Sequence, residues 1–345
     1  MIMSETTKCP MYEAKDYKSD QYVRWCPGCG DHAVVVTLQK AMAEIGIPPH
    51  QTAVISGIGC SSRLPYYMNT YGFHTIHGRG AAIATGVKTA NLELSVWLAS
   101  GDGDSLAIGG NHFIHAVRRN IDINAVLFNN RIYGLTKGQY SPTSARGFVS
   151  KSSPYGTVED PFIPAELVLG ARGNFFARAI DVDMKTLQEC FVASARHRGF
   201  AVTEVLVNCV IFNDGTHKNR SHKDIRADRT ITLRHGEKMI FGANRDKGIV
   251  LEGLKLRAVT IGEDGYTLDD VLVHDKYEQD VTLHHLLAMM GYTDDSMPIA
   301  LGVIRDVEAP CYDRAVEAQI EEIQQKNPIR KLHDLLIQGD VWEIK

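Results

Sequence analysis

Apolar positions along this chain fall into two alternating kinds of stretch. Residues 52–59, 95–101, 123–130, 175–180 and 201–208 are apolar and rich in β-branched side chains almost without interruption. Such continuity predicts strands covered on both faces rather than strands with one wet face. Residues 32–45, 81–94, 110–119 and 184–198 instead repeat their apolar positions with helical period. Strand, helix, strand, helix predicts an α/β fold: a doubly wound, mainly parallel sheet. Beyond Asp214 the pattern is lost. "NDGTHKNRSHKDIRADR" is charged and aperiodic, and reads as a solvated linker or a loop over the domain. The remainder holds short candidate strands and a last helical stretch at 309–325, with a partly exposed or subunit-contacting face. The expected organisation is a main domain over 1–230 and a C-terminal extension over 231–345.

Composition narrows the function classes. The chain has 345 residues and a formal net charge of −4, which gives no reason to expect nucleic acid. Its first residues lack the apolar core of a signal peptide, and no stretch is apolar over the length of a bilayer, so the expected location is cytoplasmic with no membrane partner. In a reducing compartment seven cysteines do not suggest a disulfide framework. The close pair in "RWCPGCGDH", Cys26 and Cys29, then points to metal binding or redox chemistry.

Ligands of open α/β sheets lie outside the carboxyl ends of the strands. Several chemically capable residues fall there: Cys60 after the first strand run, Asp102 after the second, Asn129 and Asn130 closing the third, Cys209 after the last. Cys26, Cys29, Cys60 and Cys209 are therefore candidates for one site of four thiolates, with Gly28 and Gly30 letting backbone N–H groups approach the sulfurs. A thioredoxin-like pair and a structural zinc are the competing readings; the first lacks a preceding strand, the second a closely spaced second pair. Cys9 is a rival ligand on the N-terminal tail. Cys190 and Cys311 sit in helical patterns and read as packing residues.

A second candidate site lies in "GDGDSLAIGGNHFIHAVRRNIDINAVLFNNRIYGL". Gly101 and Gly103 permit a tight turn off a strand, where Asp102 presents a hard oxygen. One helix and one strand later, Asn130 presents another. Two such ligands suit a Mg²⁺ that takes its remaining oxygens from phosphate and water. "HGRGAAIATG" does not have the spacing of a dinucleotide fingerprint. His112 and His115 read as packing or capping residues, and Lys137 by itself as a solvated loop residue.

G-D-G followed at this distance by N-N resembles the thiamine diphosphate motif. Together with "CPGCG" and "GIGCSSR" it is similar to one family, the β subunits of the 2-oxoacid:ferredoxin oxidoreductases, over residues 22–213. "NNRIYGLTKGQYSPTS" looks more like the 2-oxoglutarate members than the pyruvate members. The resemblance implies thiamine diphosphate, Mg²⁺ and a [4Fe–4S] cluster in the main domain. It implies reversible oxidative decarboxylation of 2-oxoglutarate with coenzyme A to succinyl-CoA and CO2, electrons leaving through the cluster to ferredoxin. Carried over residue by residue, Asp102 and Asn130 match side-chain Mg²⁺ ligands and Ile132 a carbonyl ligand. Gly103, Asp104, Gly134 and Leu135 match diphosphate contacts; Ile58, Gly59, Cys60, Ser61 and His77 match further cofactor contacts. Cys26, Cys29, Cys60 and Cys209 match the cluster ligands, and Lys137 a contact to the substrate carboxylate. The glutamate that activates thiamine has no counterpart here; in the family it comes from an α subunit, which is the implied partner. Other readings are a pyruvate or branched-chain enzyme, a non-redox thiamine-dependent decarboxylase and a metal-stapled scaffold subunit.

Overall fold

Alternate residues of each central strand bury into two different cores. In β3 (Ser95–Gly101) and β4 (Ile123–Asn129), Val96, Leu98, Ala125 and Leu127 face one apolar layer, and Trp97, Ala99, Val126 and Phe128 face the other. This is the consequence of period-2 side chains in a sheet covered on both sides. The computed structural model describes residues 12–326 and 331–344; Cys9 lies outside the described residues.

The strands preceding these are β1 (Thr52–Ser56) and β2 (Tyr71–His74); β5 (Phe175–Ile180), β6 (Phe200–Leu206) and β7 (Thr230–Leu233) follow. Next come β8 (Ile240–Phe241), β9 (Lys247–Glu252), β10 (Lys255–Thr260) and β11 (Ile299–Asp306). The helices are α1 (Asp31–Ile45), α2 (Gly80–Ala90), α3 (Asp102–Leu106), α4 (Gly110–Arg119), α5 (Pro164–Gly170) and α6 (Met184–Arg196). They continue with α7 (Lys218–Ser221), α8 (Arg226–Arg229), α9 (Thr282–Met289), α10 (Tyr312–Lys326) and α11 (Leu332–Leu336). An eight-stranded sheet runs in the order β2-β1-β3-β4-β6-β5-β11-β7. β1 to β6 pair in parallel, and β11 runs antiparallel to β5. Residues of α1 and α6 fill one apolar layer; residues of α2, α4, α5 and α9 fill the other. The sheet is thus doubly wound and mainly parallel, as the sequence pattern predicts.

The differences have local causes. β1 stops at Ser56 because Gly57 backs directly onto the Asp104 carboxylate, with a Cβ position only 1.6 Å from Oδ2. α2 ends at Ala90 rather than 94, since Lys88 folds in to donate to the Leu94 carbonyl and pair with Asp122. α6 ends at Arg196, where the extended His197 is held by Asp306. α10 begins at Tyr312, after a segment whose Ala309 and Pro310 carbonyls accept from Asn120. The expected domain division at 230/231 falls inside β7. Residues 231–345 supply β11 and most of β7 to the main sheet, while β8, β9 and β10 form a small antiparallel sheet. The charged stretch 213–229 is not solvated throughout. His217 and Arg220 are buried, His217 against the Asn129 carbonyl and Arg220 against the Gly291 carbonyl and the Tyr292 ring. No helix among the described residues is long and apolar enough to cross a membrane.

Candidate functional site

Four thiols meet at one cavity. The Cys26–Cys29 turn closes through Cys29 N–H on the Cys26 carbonyl (3.0 Å), with Gly28 at a φ of +83° that favours glycine. Gly30 N–H ties this turn to the Asn208 carbonyl just beyond β6, one residue before Cys209. Trp25 Nε1 donates to the Cys60 carbonyl at 2.7 Å, which brings in the loop after β1. Cys26, Cys29, Cys60 and Cys209 then line a cavity of about 220 Å³ together with Arg24, Arg63 and Lys137. No disulfide joins them. Burial raises the Cys29 thiol far above its usual range and pushes Cys60 up to about 12, neighbouring acidic groups adding to each.

Four thiols at one cavity are a donor set that fits a soft metal. Among the described residues no three Cys, His, Asp or Glu groups converge closely enough for a single ion, while all four cysteines line the one cavity. Thiolates that are costly to leave charged and buried are stabilised by iron, and the nearby cations offset the charge that remains. Cys190 lies in the apolar core with its Sγ facing the Arg178 carbonyl. Cys311 lines a separate groove of about 1310 Å³ near the start of β5, where no predicted site residue is found. Asp31, two residues after Cys29, was not anticipated. It is buried beside Cys29 with both oxygens unpaired, and burial together with Asp181 pushes it up to about 7.

The second cavity opens at the ends of β1, β3 and β4. It measures about 90 Å³ and is lined by Ile58, Gly59, Cys60 and Ser61 from one loop and His77 from the next. Asp102, Gly103 and Asp104 line it from the start of α3; Asn130, Ile132, Gly134 and Leu135 line it from the loop after β4. Every residue matched to Mg²⁺ or the cofactor is therefore at this cavity, while Lys137 lies at the thiol cavity next to it.

Asp102 is buried, and its Oδ2 accepts from Ser141 Oγ and Thr143 Oγ1, both at 2.5 Å. Burial pushes its carboxyl up to about 6, against the pull of these hydroxyls. Asn130 Oδ1 accepts from Ile132 N–H at 3.1 Å, shaping the loop between them. Asn213 Nδ2 donates to the carbonyls of Asn130 and Arg131, each at 3.1 Å, and so ties the loop after Cys209 to this one. Both oxygens of Asp104 are taken by protein donors: His77 Nδ1 at 2.5 Å, Gly78 N–H at 2.7 Å and Ser100 Oγ at 2.6 Å. Its side chain holds the His77 imidazole, and any contact of Asp104 itself with a diphosphate falls to its main chain. Tyr133, also unanticipated, donates from its hydroxyl to the Gly103 carbonyl at 2.8 Å and stands edge-on to His77. Behind the site, Asn129 Nδ2 donates to Glu204, which forms a fully buried ion pair with Arg178 at 2.6 Å.

A buried carboxylate and a part-buried amide at neighbouring strand ends, with glycine-rich turns around a cavity lined by hard oxygens, suit a phosphate-bearing cofactor held through a divalent cation. Residues 57–205 match the family model for the thiamine pyrophosphate enzyme C-terminal TPP-binding domain. Among characterised relatives, the chain is 45% identical over 342 residues to the 2-oxoglutarate oxidoreductase subunit KorB of Mycobacterium tuberculosis, covering 98% of this chain and 90% of that one. It is 47% identical over 198 residues to the β subunit of 2-oxoacid:ferredoxin oxidoreductase 1 of Aeropyrum pernix, covering 57% of this chain and 62% of that one. Among solved structures, a 2-oxoglutarate:ferredoxin oxidoreductase from Magnetococcus marinus, with 2-oxoglutarate, coenzyme A and succinyl-CoA bound, superposes with a TM-score of 0.77 at 31% identity. That match covers 97% of this chain and 98% of the other. The chain belongs to the family of 2-oxoacid:ferredoxin oxidoreductase β subunits, and its long-range similarity is to the 2-oxoglutarate members.

Proposed function

We propose that this chain is the β subunit of a cytoplasmic 2-oxoglutarate:ferredoxin oxidoreductase. With an α subunit it converts 2-oxoglutarate and coenzyme A reversibly to succinyl-CoA and CO2, passing electrons through a [4Fe–4S] cluster to ferredoxin. The carrying observation is that the two cavities share a wall. Cys60, Asn130, Gly134 and Leu135 line both. A cofactor site and a thiol site in such contact suit electron transfer and have no use in a non-redox decarboxylase.

Thiamine diphosphate supplies an electron sink for decarboxylation when bound. The chain's own residues bind and orient. Asp102, Asn130 and the Ile132 carbonyl would hold Mg²⁺ against the diphosphate. Gly103, Gly134 and Leu135 allow the main chain to approach it. His77 is fixed by Asp104 with its other ring nitrogen free to face the cofactor. Lys137, beside the thiols and close to the shared wall, offers a charge for the substrate carboxylate.

Two features support an α-subunit partner. Small-molecule pockets usually enclose about 300–1,000 Å³, and the cofactor cavity is well below that, so the chain encloses only part of its ligand. No glutamate among the described residues lines that cavity, and its two aspartates are engaged by protein donors. An acid supplied by another chain would complete the activation of thiamine at this site.

The test is metal content and turnover of the anaerobically purified α/β complex. Iron and acid-labile sulfide should be present, and Cys26→Ala, Cys29→Ala, Cys60→Ala and Cys209→Ala should each lose most of the iron, while Cys190→Ala and Cys311→Ala keep it. Zinc in place of iron, or no 2-oxoglutarate-dependent reduction of ferredoxin, would overturn the reading.

A further inference from the structure

The turn over residues 141–144 carries three hydroxyls, and all three are buried: Ser141 is 2% exposed, Thr143 1% and Ser144 4%. The turn is self-bonded, Ser141 N–H to Ser144 Oγ at 2.8 Å and Ser144 N–H to the Ser141 carbonyl at 3.0 Å. Ser141 and Thr143 both reach Asp102 Oδ2 at 2.5 Å. Thr143 also lies 3.0 Å from Asn129 Oδ1, and the Asn129 amide cannot turn over because its nitrogen donates to the Glu204 carboxylate at 2.7 Å. Ser144 donates to the Arg131 carbonyl at 2.7 Å. Arg131, between Asn130 and Ile132, holds a φ of +55°, which a non-glycine residue adopts only when held there. One short turn therefore grips the strand end that carries Asp102 and the loop that carries Asn130 and Ile132.

We propose that Thr143 and Ser141 are positioning residues that set the geometry, and thereby the identity, of the cation at this site. The inference rests on the proposed role of Asp102 and Asn130 as cation ligands. With Oδ2 committed to two hydroxyls, Asp102 offers the cation one oxygen in one orientation. The Ser144–Arg131 contact fixes the opposite wall relative to it. A site of fixed spacing suits Mg²⁺, which demands near-ideal octahedral geometry, over Ca²⁺, which tolerates irregular and larger shells. Hydrogen-bond partners of metal ligands commonly matter this much, their loss costing about 10–100-fold in metal affinity.

The test is calorimetric titration of the purified α/β complex with thiamine diphosphate in Mg²⁺ and, separately, in Ca²⁺. Thr143→Val keeps the shape of the side chain and removes the hydroxyl; Thr143→Ser keeps the hydroxyl. Thr143→Val should weaken Mg²⁺-supported binding by about 10–100-fold and Ca²⁺-supported binding much less, so that the preference for Mg²⁺ shrinks. Thr143→Ser should stay within about threefold of wild type on the same reasoning, and Ser141→Ala should move in the direction of Thr143→Val. Iron content and melting temperature report whether the fold is intact. An unchanged Mg²⁺ dependence and preference in Thr143→Val overturns the proposal. So does an equal loss in Thr143→Val and Thr143→Ser, which would make the residue a packing element. A wild-type complex that binds the cofactor without any divalent cation removes the cation-site reading itself, and this inference with it.

Discussion

Gly103→Ala tests how tightly the cofactor cavity is built. A Cβ there would lie 2.3 Å from Cε1 of Tyr133 and 2.5 Å from Cζ. These are atoms of a rigid ring, so the whole side chain must swing away. Its hydroxyl would leave the Gly103 carbonyl, and its edge would leave His77. Overpacking of this kind costs about 1–3 kcal/mol. Loss of the hydrogen bond adds about 0.5–1.5 kcal/mol, while exchanging glycine for alanine in the helical turn of α3 returns about 0.5–1 kcal/mol. The net expectation is a destabilisation of about 0.5–4 kcal/mol from these terms, seen as a lower urea midpoint and melting temperature. In a Tyr133→Ala background the obstruction is gone, so Gly103→Ala should become neutral or stabilising by up to about 1 kcal/mol. That reversal of sign, read from a double-mutant cycle by urea unfolding, is the diagnostic. Equal destabilisation in both backgrounds would refute the reasoning, as would a Gly103→Ala protein indistinguishable from wild type.

Further predictions concern protonation and substrate. Burial holds His217 and His274 neutral, pulling them from 6.5 down to about 3 and about 4. The unfolded chain takes up protons that the folded chain refuses, so stability is complete above about pH 6.5 and falls as pH drops toward 4, by up to about 1.4 kcal/mol per pH unit for each histidine. His217→Gln should remove one proton's worth of that slope in urea titrations between pH 7 and 5, and an unchanged slope would exclude His217 as its source. Lys137→Met keeps bulk without charge; losing a charge-assisted bond of about 1.5–3 kcal/mol should lower kcat/KM for 2-oxoglutarate at least about tenfold. Full iron content with wild-type kcat/KM in that variant would reduce Lys137 to a surface residue.

Much of the sheet was legible because strands buried on both faces leave continuous apolar runs. β2 was not: all four of its residues are exposed, so burial imposes no pattern on them. Nor was β11, whose pairing with β5 joins residues far apart in sequence, information that a local period does not carry. The charged stretch after Asp214 misled for the opposite reason. Arg220 is buried among carbonyl and aromatic partners drawn from the C-terminal part of the chain, and composition alone cannot distinguish that from solvation. At the site, Cys60, Asp102, Asn130 and Cys209 could be grouped because strand ends of a parallel sheet converge. The hydroxyl turn could not, since a Ser-Pro-Thr-Ser run is locally indistinguishable from any polar loop.

The juxtaposition of the two cavities has a simple physical origin in one loop. Asn130 begins it, on the side of the cofactor cavity, and Lys137 ends it, on the side of the thiols. Gly134 stands between, and a Cβ at that position would lie 3.5 Å from Cys60 Sγ and 3.6 Å from Cys209 Sγ. Any longer side chain would thicken the partition or enter the space the sulfurs enclose. No positive φ calls for glycine here; a Cβ would make ordinary contact with both sulfurs, so what the closeness of the two sites disfavours is a side chain larger than alanine. Asn213 and Trp25 brace the same partition from outside, the first by joining the loop after Cys209 to the Asn130 and Arg131 carbonyls, the second by holding Cys60 through its carbonyl. A movement of this loop would shift the proposed cation ligands and the sulfur cavity together. In the proposed function, that shared segment of main chain would hold the cofactor site and the thiol site at one fixed spacing.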